Sequence, residues 1–283
     1  MPIDQKEFRG VFKKLDRQLT KAARKPSAEN VHKFRTNSRR VETVLERLIA
    51  APDRSTKKLV KLLSKLRKKA GKVRDLDVQT ASLRGLKITQ STQKNQLLSS
   101  LCSERDQREK KFSKALDKAT VQELQQRLER TARQIEIPEG MEPLSIALQE
   151  LGKLGQDSAP LSAEKLHQYR ITGKQARYLA EMAQKDPEGE RVIEQLKRMQ
   201  DVIGDWHDWL TLTERAEKLF NGDKSSALVA AMRNLARAKF RQGLDVVSET
   251  KTMLANEKFG LIPVRDRTLK KTPMKTNTKA AAA

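Results

Sequence analysis

Two unrelated segments of this 283-residue chain recur at nearly one offset, and that recurrence limits the fold more than any single motif does. The first segment runs from Ser27 to Glu46. At helical pitch His32, Arg35 and Arg39 stand at i, i+3 and i+7, on one stripe, with Arg40 at its edge. Phe34, Val41, Val44, Leu45 and Leu48 fall on the opposite side, the side a core would take. Ser27 is placed to cap this helix five residues before the histidine. The order returns as His167, Arg170, Lys174 and Arg177, with Ser162 again five residues ahead. The second segment, Leu66 to Asp75, is answered by Met199 to Asp208. His32 and His167 lie 135 residues apart, and Gly71 and Gly204 lie 133 apart. Two independent motifs sharing one spacing predict an internal duplication.

Composition agrees with long helices and thin cores: 37% hydrophobic, 4% aromatic and 34% charged residues. No apolar run reaches the roughly 18 residues of a membrane span, and the first residues lack the apolar stretch of a secretory signal, so a cytoplasmic protein is expected. The single cysteine, Cys102, excludes an intramolecular disulfide. The net charge of +23 points to a polyanionic partner. Its distribution is uneven. Residues 1–135 hold 35 Lys and Arg against 15 Asp and Glu, residues 136–263 hold 18 against 20, and the last twenty hold 6 against 1. A phosphate chain would draw most of its binding energy from the first half.

Along the chain, residues 3–24 read as a helix with Phe8, Val11, Phe12, Leu15 and Leu19 as its apolar stripe. Pro26 ends it, and the motif helix runs to about Ile49 before Pro52. A third helix, about 54–83, turns Leu59, Leu62, Leu63, Leu66 and Val73 to the core, with a turn expected at Leu83 to Leu86. Its Lys58, Lys61, Lys65, Lys68 and Lys72 form a ladder up one face, with few acids in that helix to relieve the repulsion. This favours a phosphate-facing surface over a plain solvated face. Asp75 is expected to pin a motif arginine; a metal role would lack further ligands at usable spacing. Gly71 and Gly204, each costing about 1 kcal/mol in a helix, suggest close helix–helix approach. Two helices at 90–118 and 121–134 follow, with Leu97, Leu98, Leu101, Phe112 and Leu116 as core positions. The stretch Ile135 to Pro143 is the candidate boundary between halves. Then come 144–154, the second motif helix, 188–220, a turn at Asn221-Gly222-Asp223 and 224–256, with a disordered basic tail, 264–283, at the end.

His-x-x-Arg-x-x-x-(Arg/Lys), a Lys-rich helix ending in Gly-x-x-Arg-Asp-Leu-Asp, and a weaker second copy of both resemble the CHAD (conserved histidine α-helical) domain over about residues 3 to 258. The resemblance implies an all-α fold: two four-helix bundles related by a pseudo-twofold axis, long antiparallel helices around a basic central cavity. It also implies binding of inorganic polyphosphate without catalysis, at polyphosphate granules.

Arg35, Arg39, Arg40, Arg74, Arg170, Arg177 and Arg198 suit phosphate because a guanidinium grips two oxygens at once. Lys58, Lys61, Lys65, Lys68, Lys72 and Lys174 would add point charges tolerant of a repetitive ligand. His32 and His167 serve as neutral donors or as cations near neutral pH, and Tyr178, back on the basic stripe, as a hydroxyl donor at the rim. The second copy departs from the pattern. Gln175 stands for Arg40 and His207 for Arg74. The lysine ladder becomes Arg191, Glu194, Arg198, Asp201 and Asp205, while in the first copy Glu42 occupies the position of Arg177. No catalytic residue, metal or cofactor is expected. The alternative partner is nucleic acid, whose phosphates a net +23 would equally attract. No helix-turn-helix, zinc finger or RNA-recognition signature supports it, and few aromatics are left for base stacking. A phosphohistidine role for His32 would need an accessible imidazole and a donor or acceptor partner, and phosphate-ester hydrolysis would need grouped metal-binding carboxylates, which the sequence does not show.

Overall fold

The protein is described from a computed structural model covering residues 3–49, 51–88, 91–135, 140–155, 160–183, 187–222 and 225–256. Among these, the secondary structure is nine α-helices: α1 (Gln5–Arg24), α2 (Ala28–Leu48), α3 (Arg54–Gly85), α4 (Thr92–Ala115), α5 (Lys118–Gln134), α6 (Pro143–Gly155), α7 (Ala163–Ala180), α8 (Pro187–Leu219) and α9 (Ala227–Asn256). The region expected to form the tail, 264–283, lies outside the described residues.

The helix starts are written in short polar side chains. Asp4, Ser27, Asp53, Ser91, Asp117 and Ser162 each accept a first-turn backbone N–H that the helix leaves unpaired. Asp117 explains why the fourth and fifth helices are separate: α4 stops at Ala115, and the Asp117 carboxylate, accepting the Thr120 N–H at 2.7 Å, starts α5 in a new direction. The turn after α8 carries Asn221 and Gly222 at positive φ (53° and 71°), where an asparagine and a glycine cost least.

One helix end differs from the sequence expectation. The segment Leu83–Leu86 is not a turn, because α3 continues to Gly85. Leu83 stands seven residues after Leu76, on the same stripe, and both are buried with Leu97, Leu101, Leu212, Leu228 and Met232 in a second apolar cluster shared by α3, α4, α8 and α9. Burying Leu83 offsets the weak end of the helix. Leu62 and Leu98, expected in the core, pack only against its edge.

The main core joins both ends of the chain, from Phe8, Leu15 and Leu19 of α1 through Phe34 and Leu45 of α2 to Leu196 and Met199 of α8 and Val247 of α9. In the first half α2 packs on α1 and α3, α3 on α4 and α5, and α5 returns to α1. In the second, α7 packs on α6 and α8, α8 on α9, and α9 returns to α6. The halves meet through α2 against α7 and α3 against α8, so the motif-bearing helices form the seam. Polar contacts cross it: Gln79 donates to Thr211 Oγ1 at 3.2 Å, and Arg40 pairs with Glu181 at 2.8 Å. At one edge the Asp4 N–H donates to the Met182 carbonyl at 2.9 Å, beside an isolated bridge between Ile3 and Ala183. No described helix is long and apolar enough to cross a membrane.

The expected close approach of helices at Gly71 and Gly204 is not what those glycines provide. A Cβ at Gly71 would stand 3.3 Å from the Arg35 Nε, so this glycine makes room for a side chain rather than a backbone. A Cβ at Gly204 would meet nothing within 4 Å, because that position borders open space. Gly173 on α7 is where helices crowd. A Cβ there would collide with Met199 Cε at 2.4 Å, and its carbonyl accepts the Gln200 side-chain amide at 2.8 Å.

Candidate functional site

Where the four seam helices part, they enclose a cavity of about 470 Å³. The caps Ser27 and Ser162, each 3.3 Å from the backbone nitrogen three residues on, set the starts of α2 and α7. With those ends fixed, the apolar stripes turn to the core and the motif stripes turn to the seam. His32, Arg35 and Arg39 enter the cavity from α2, and Arg170, Lys174 and Arg177 enter from α7. From α3 come Arg67, Arg74 and Asp75, and from α8 Asp201, Asp205 and Asp208. The first half thus lines the cavity with four cations, one carboxylate and His32, the second with three cations and three carboxylates.

The electrostatics are those of cations held together without enough counter-charge. Burial, then Arg170 and Arg35, push the Lys174 ammonium down to about 7. Burial likewise lowers Arg170 and Arg39, the latter against Arg67. His32 is lowered by burial and then by Arg74 and Arg35, which keeps its imidazole neutral near pH 7. Asp75 opens to the cavity but is crowded by protein, and desolvation raises its carboxyl; Arg35 and Arg170 pull it back and Asp208 pushes it up. Asp75 therefore acts on Arg35 and Arg170 through its field rather than by pinning one of them. The Nε atoms of Arg35 and Arg170, at matching positions of the two motifs, are buried and find no acceptor among the described residues. A buried donor left unpaired costs about 1–3 kcal/mol, more when charged.

A family model for the CHAD domain matches residues 7–217. The chain belongs to that family. The fold agrees at low identity with two solved structures. One is the CHAD domain from the plant Ricinus communis (TM-score 0.65, 18% identity, covering 86% of this chain and 88% of that one). The other is PptA from Streptomyces chartreusis (TM-score 0.63, 12% identity, covering 90% and 99%). Among curated proteins none matches the sequence.

In this CHAD protein the expected site residues divide into three groups. His32, Arg35, Arg39, Arg74, Arg170, Lys174, Arg177 and Tyr178 all line the cavity. Tyr178 is buried, and the Arg40 and Arg177 guanidiniums lie over its ring, 5.5 and 5.3 Å from its centroid. Arg40 itself turns away to Glu181. His167 does not reach the cavity lining either; its ring stacks on His207 with centroids 5.5 Å apart. The third group is on other faces. Arg198 is 58% exposed and pairs with Glu249 of α9 at 2.7 Å. The ladder lysines are all exposed, and Lys58, Lys61, Lys65 and Lys68 line a separate open groove on α3. At 100° per residue, the ladder points roughly a third of a turn away from the line of Arg67, Gly71 and Arg74.

Arg67 is the cavity cation that the sequence reading missed, and Glu42 explains it. Glu42, 2% exposed, accepts from the Arg67 Nε at 2.6 Å. Burial raises the Glu42 carboxyl, and Arg67 pulls it back. The acid that breaks the basic pattern of α2 therefore fixes an arginine of α3 in the cavity wall. The signal available was a reciprocal exchange: Glu42 and Arg67 in the first copy stand where Arg177 and Gln200 stand in the second.

Proposed function

We propose that this CHAD protein binds inorganic polyphosphate in the cavity between its halves, without catalysing a reaction on it. The observation that carries the reading is the cavity lining itself, seven cations against four carboxylates, with Arg35 and Arg170 contributed by the matching motifs of α2 and α7. A chain of identical phosphates has no sequence to be read. It asks for guanidinium forks and ammonium groups in a row, and those are what the wall presents. Family membership supports the same ligand. The equal order of packing in the two halves, and the meeting of the two motifs at the seam, support a duplicated architecture around a central basic cavity. We read it as a binding site rather than an active site. Attachment to polyphosphate granules in the cytoplasm belongs to the same proposal.

The test is binding of long-chain polyphosphate over a salt series, with duplex DNA and structured RNA as competitors. Wild type is compared with the Arg35→Ala/Arg170→Ala/Lys174→Ala variant. Tight binding that resists nucleic acid and collapses in the variant is the expected result. Equal competition by RNA, or an unaffected variant, would overturn the assignment in favour of a general basic surface.

A further inference from the structure

The cavity accounts for little of the first half's charge. Residues 1–135 carry an excess of twenty cations, yet their share of the cavity is four cations against Asp75. A further basic group among the described residues lines a groove of about 860 Å³ along α3, bounded by Glu46 of α2 and by Glu123 and Arg127 of α5. Lys57, Lys58, Lys61, Lys65 and Lys68 line it, all exposed. Of its two carboxylates, Glu123 is already paired with Arg127 at 2.8 Å. The ladder therefore holds like charges one turn apart on a helix with little to relieve them.

Groove and cavity adjoin. Arg67, in the cavity wall, donates to the Ser64 hydroxyl at 3.4 Å, and Ser64 lines the groove. On α2 the partner of Arg67, Glu42, stands one turn before Glu46 at the groove edge. The Glu42–Arg67–Ser64 chain of contacts links the two walls. A polyanion leaving the cavity over Arg67 meets Lys68, Lys65, Lys61 and Lys58 in succession.

We infer that the α3 groove is a second anion track, which holds the part of a long polyphosphate chain that extends beyond the cavity. This rests on the polyphosphate reading above and adds a division of labour to it. The cavity grips a short run of phosphates by buried arginines. The groove adds mobile lysine contacts that only a chain long enough to extend beyond the cavity can reach, which raises affinity by effective concentration.

The experiment compares wild type with the Lys58→Gln/Lys61→Gln/Lys65→Gln/Lys68→Gln variant, using tripolyphosphate, long-chain polyphosphate and a structured RNA as probes. The four side chains are exposed, so the variant should keep the wild-type helical circular dichroism and melting temperature. Tripolyphosphate affinity is expected to stay within about twofold, and long-chain affinity to fall about tenfold or more at low salt. The slope of log K against log salt should become shallower by about 3, near 0.7 for each lost lysine contact. Unchanged long-chain affinity and slope would overturn the groove while leaving the cavity reading intact. An equal loss for tripolyphosphate would also overturn it, by making the lysines part of the cavity's own field. Loss of RNA binding alone would assign the groove to nucleic acid. Wild type binding neither polyphosphate would remove the polyphosphate reading itself.

Discussion

Polyphosphate binding should take up protons, and Lys174 sets the size of the effect. Its ammonium is held down to about 7 by burial and by Arg170 and Arg35, with Arg39 acting the same way and Asp208 opposing. A bound polyanion reverses those influences and returns the group toward its ordinary value near 10.4. The sign follows. A site that binds more protons when occupied loses affinity as pH rises. At pH 8 Lys174 of the empty protein is neutral in about nine molecules of ten, so binding takes up about 0.9 proton; at pH 6 it takes up about 0.1. Integrated between those values, affinity falls about tenfold, or about 1.4 kcal/mol. His32, also lowered in the empty site, adds an effect of the same sign toward the acid end. The interior phosphates of a long chain keep their charge throughout, so the ligand contributes little. Titration calorimetry in two buffers of different ionisation enthalpy reads the proton count directly, and Lys174→Arg, charged at every pH, should flatten the profile. Equal heats in both buffers at pH 8, with wild-type affinity constant from pH 6 to 8, would refute the reasoning.

Three further outcomes follow from the same geometry. Lys174→Met removes a buried cation from among cations, so it should raise the melting temperature of the ligand-free protein while weakening polyphosphate binding, an opposition that thermal melts and titrations read separately. Gly204→Ala, which faces open space, should add about 1 kcal/mol to stability in urea titrations. Gly71→Ala gains the same helix propensity but presses on Arg35, and should cost about tenfold in polyphosphate affinity. Glu42→Ala leaves Arg67 unpaired beside the core and should cost about 3 kcal/mol in urea unfolding, most of it restored by Glu42→Leu/Arg67→Leu.

Much of this architecture was legible in the sequence because it rests on local rules. Ser27 and Ser162 marked the starts of the two motif helices, and the spacing of Phe8 to Leu19 and of Phe34 to Leu48 fixed the buried faces. The motif stripe on α2 could be placed because its opposite side was plainly the core. On α3 the same logic does not say which residues line the cavity. Its apolar stripe has a flank on either side and a back, all basic, and nothing local says which flank the other half of the molecule covers. The regular lysine ladder drew the prediction, yet the seam took the flank of Arg67 and Arg74. Arg198, assigned with the ladder, followed it to an outer face and found Glu249. The Glu42–Arg67 pair joins residues 25 apart on different helices, and helical periodicity along one segment does not reach that far.

The clasp between Ile3–Asp4 and Met182–Ala183 has a consequence for how the molecule is made. Synthesis proceeds at about 5–20 residues per second, so the first helix waits on the order of ten seconds or more for its anchor on the far half. Through that interval the first half, with 35 basic residues against 15 acidic, lacks the helices that complete the cavity. The later half brings Asp201, Asp205 and Asp208 to the same cavity. It brings Arg170, Lys174 and Arg177 as well, so in biosynthetic terms the cavity is assembled last, and until α7 and α8 arrive only half of its wall exists.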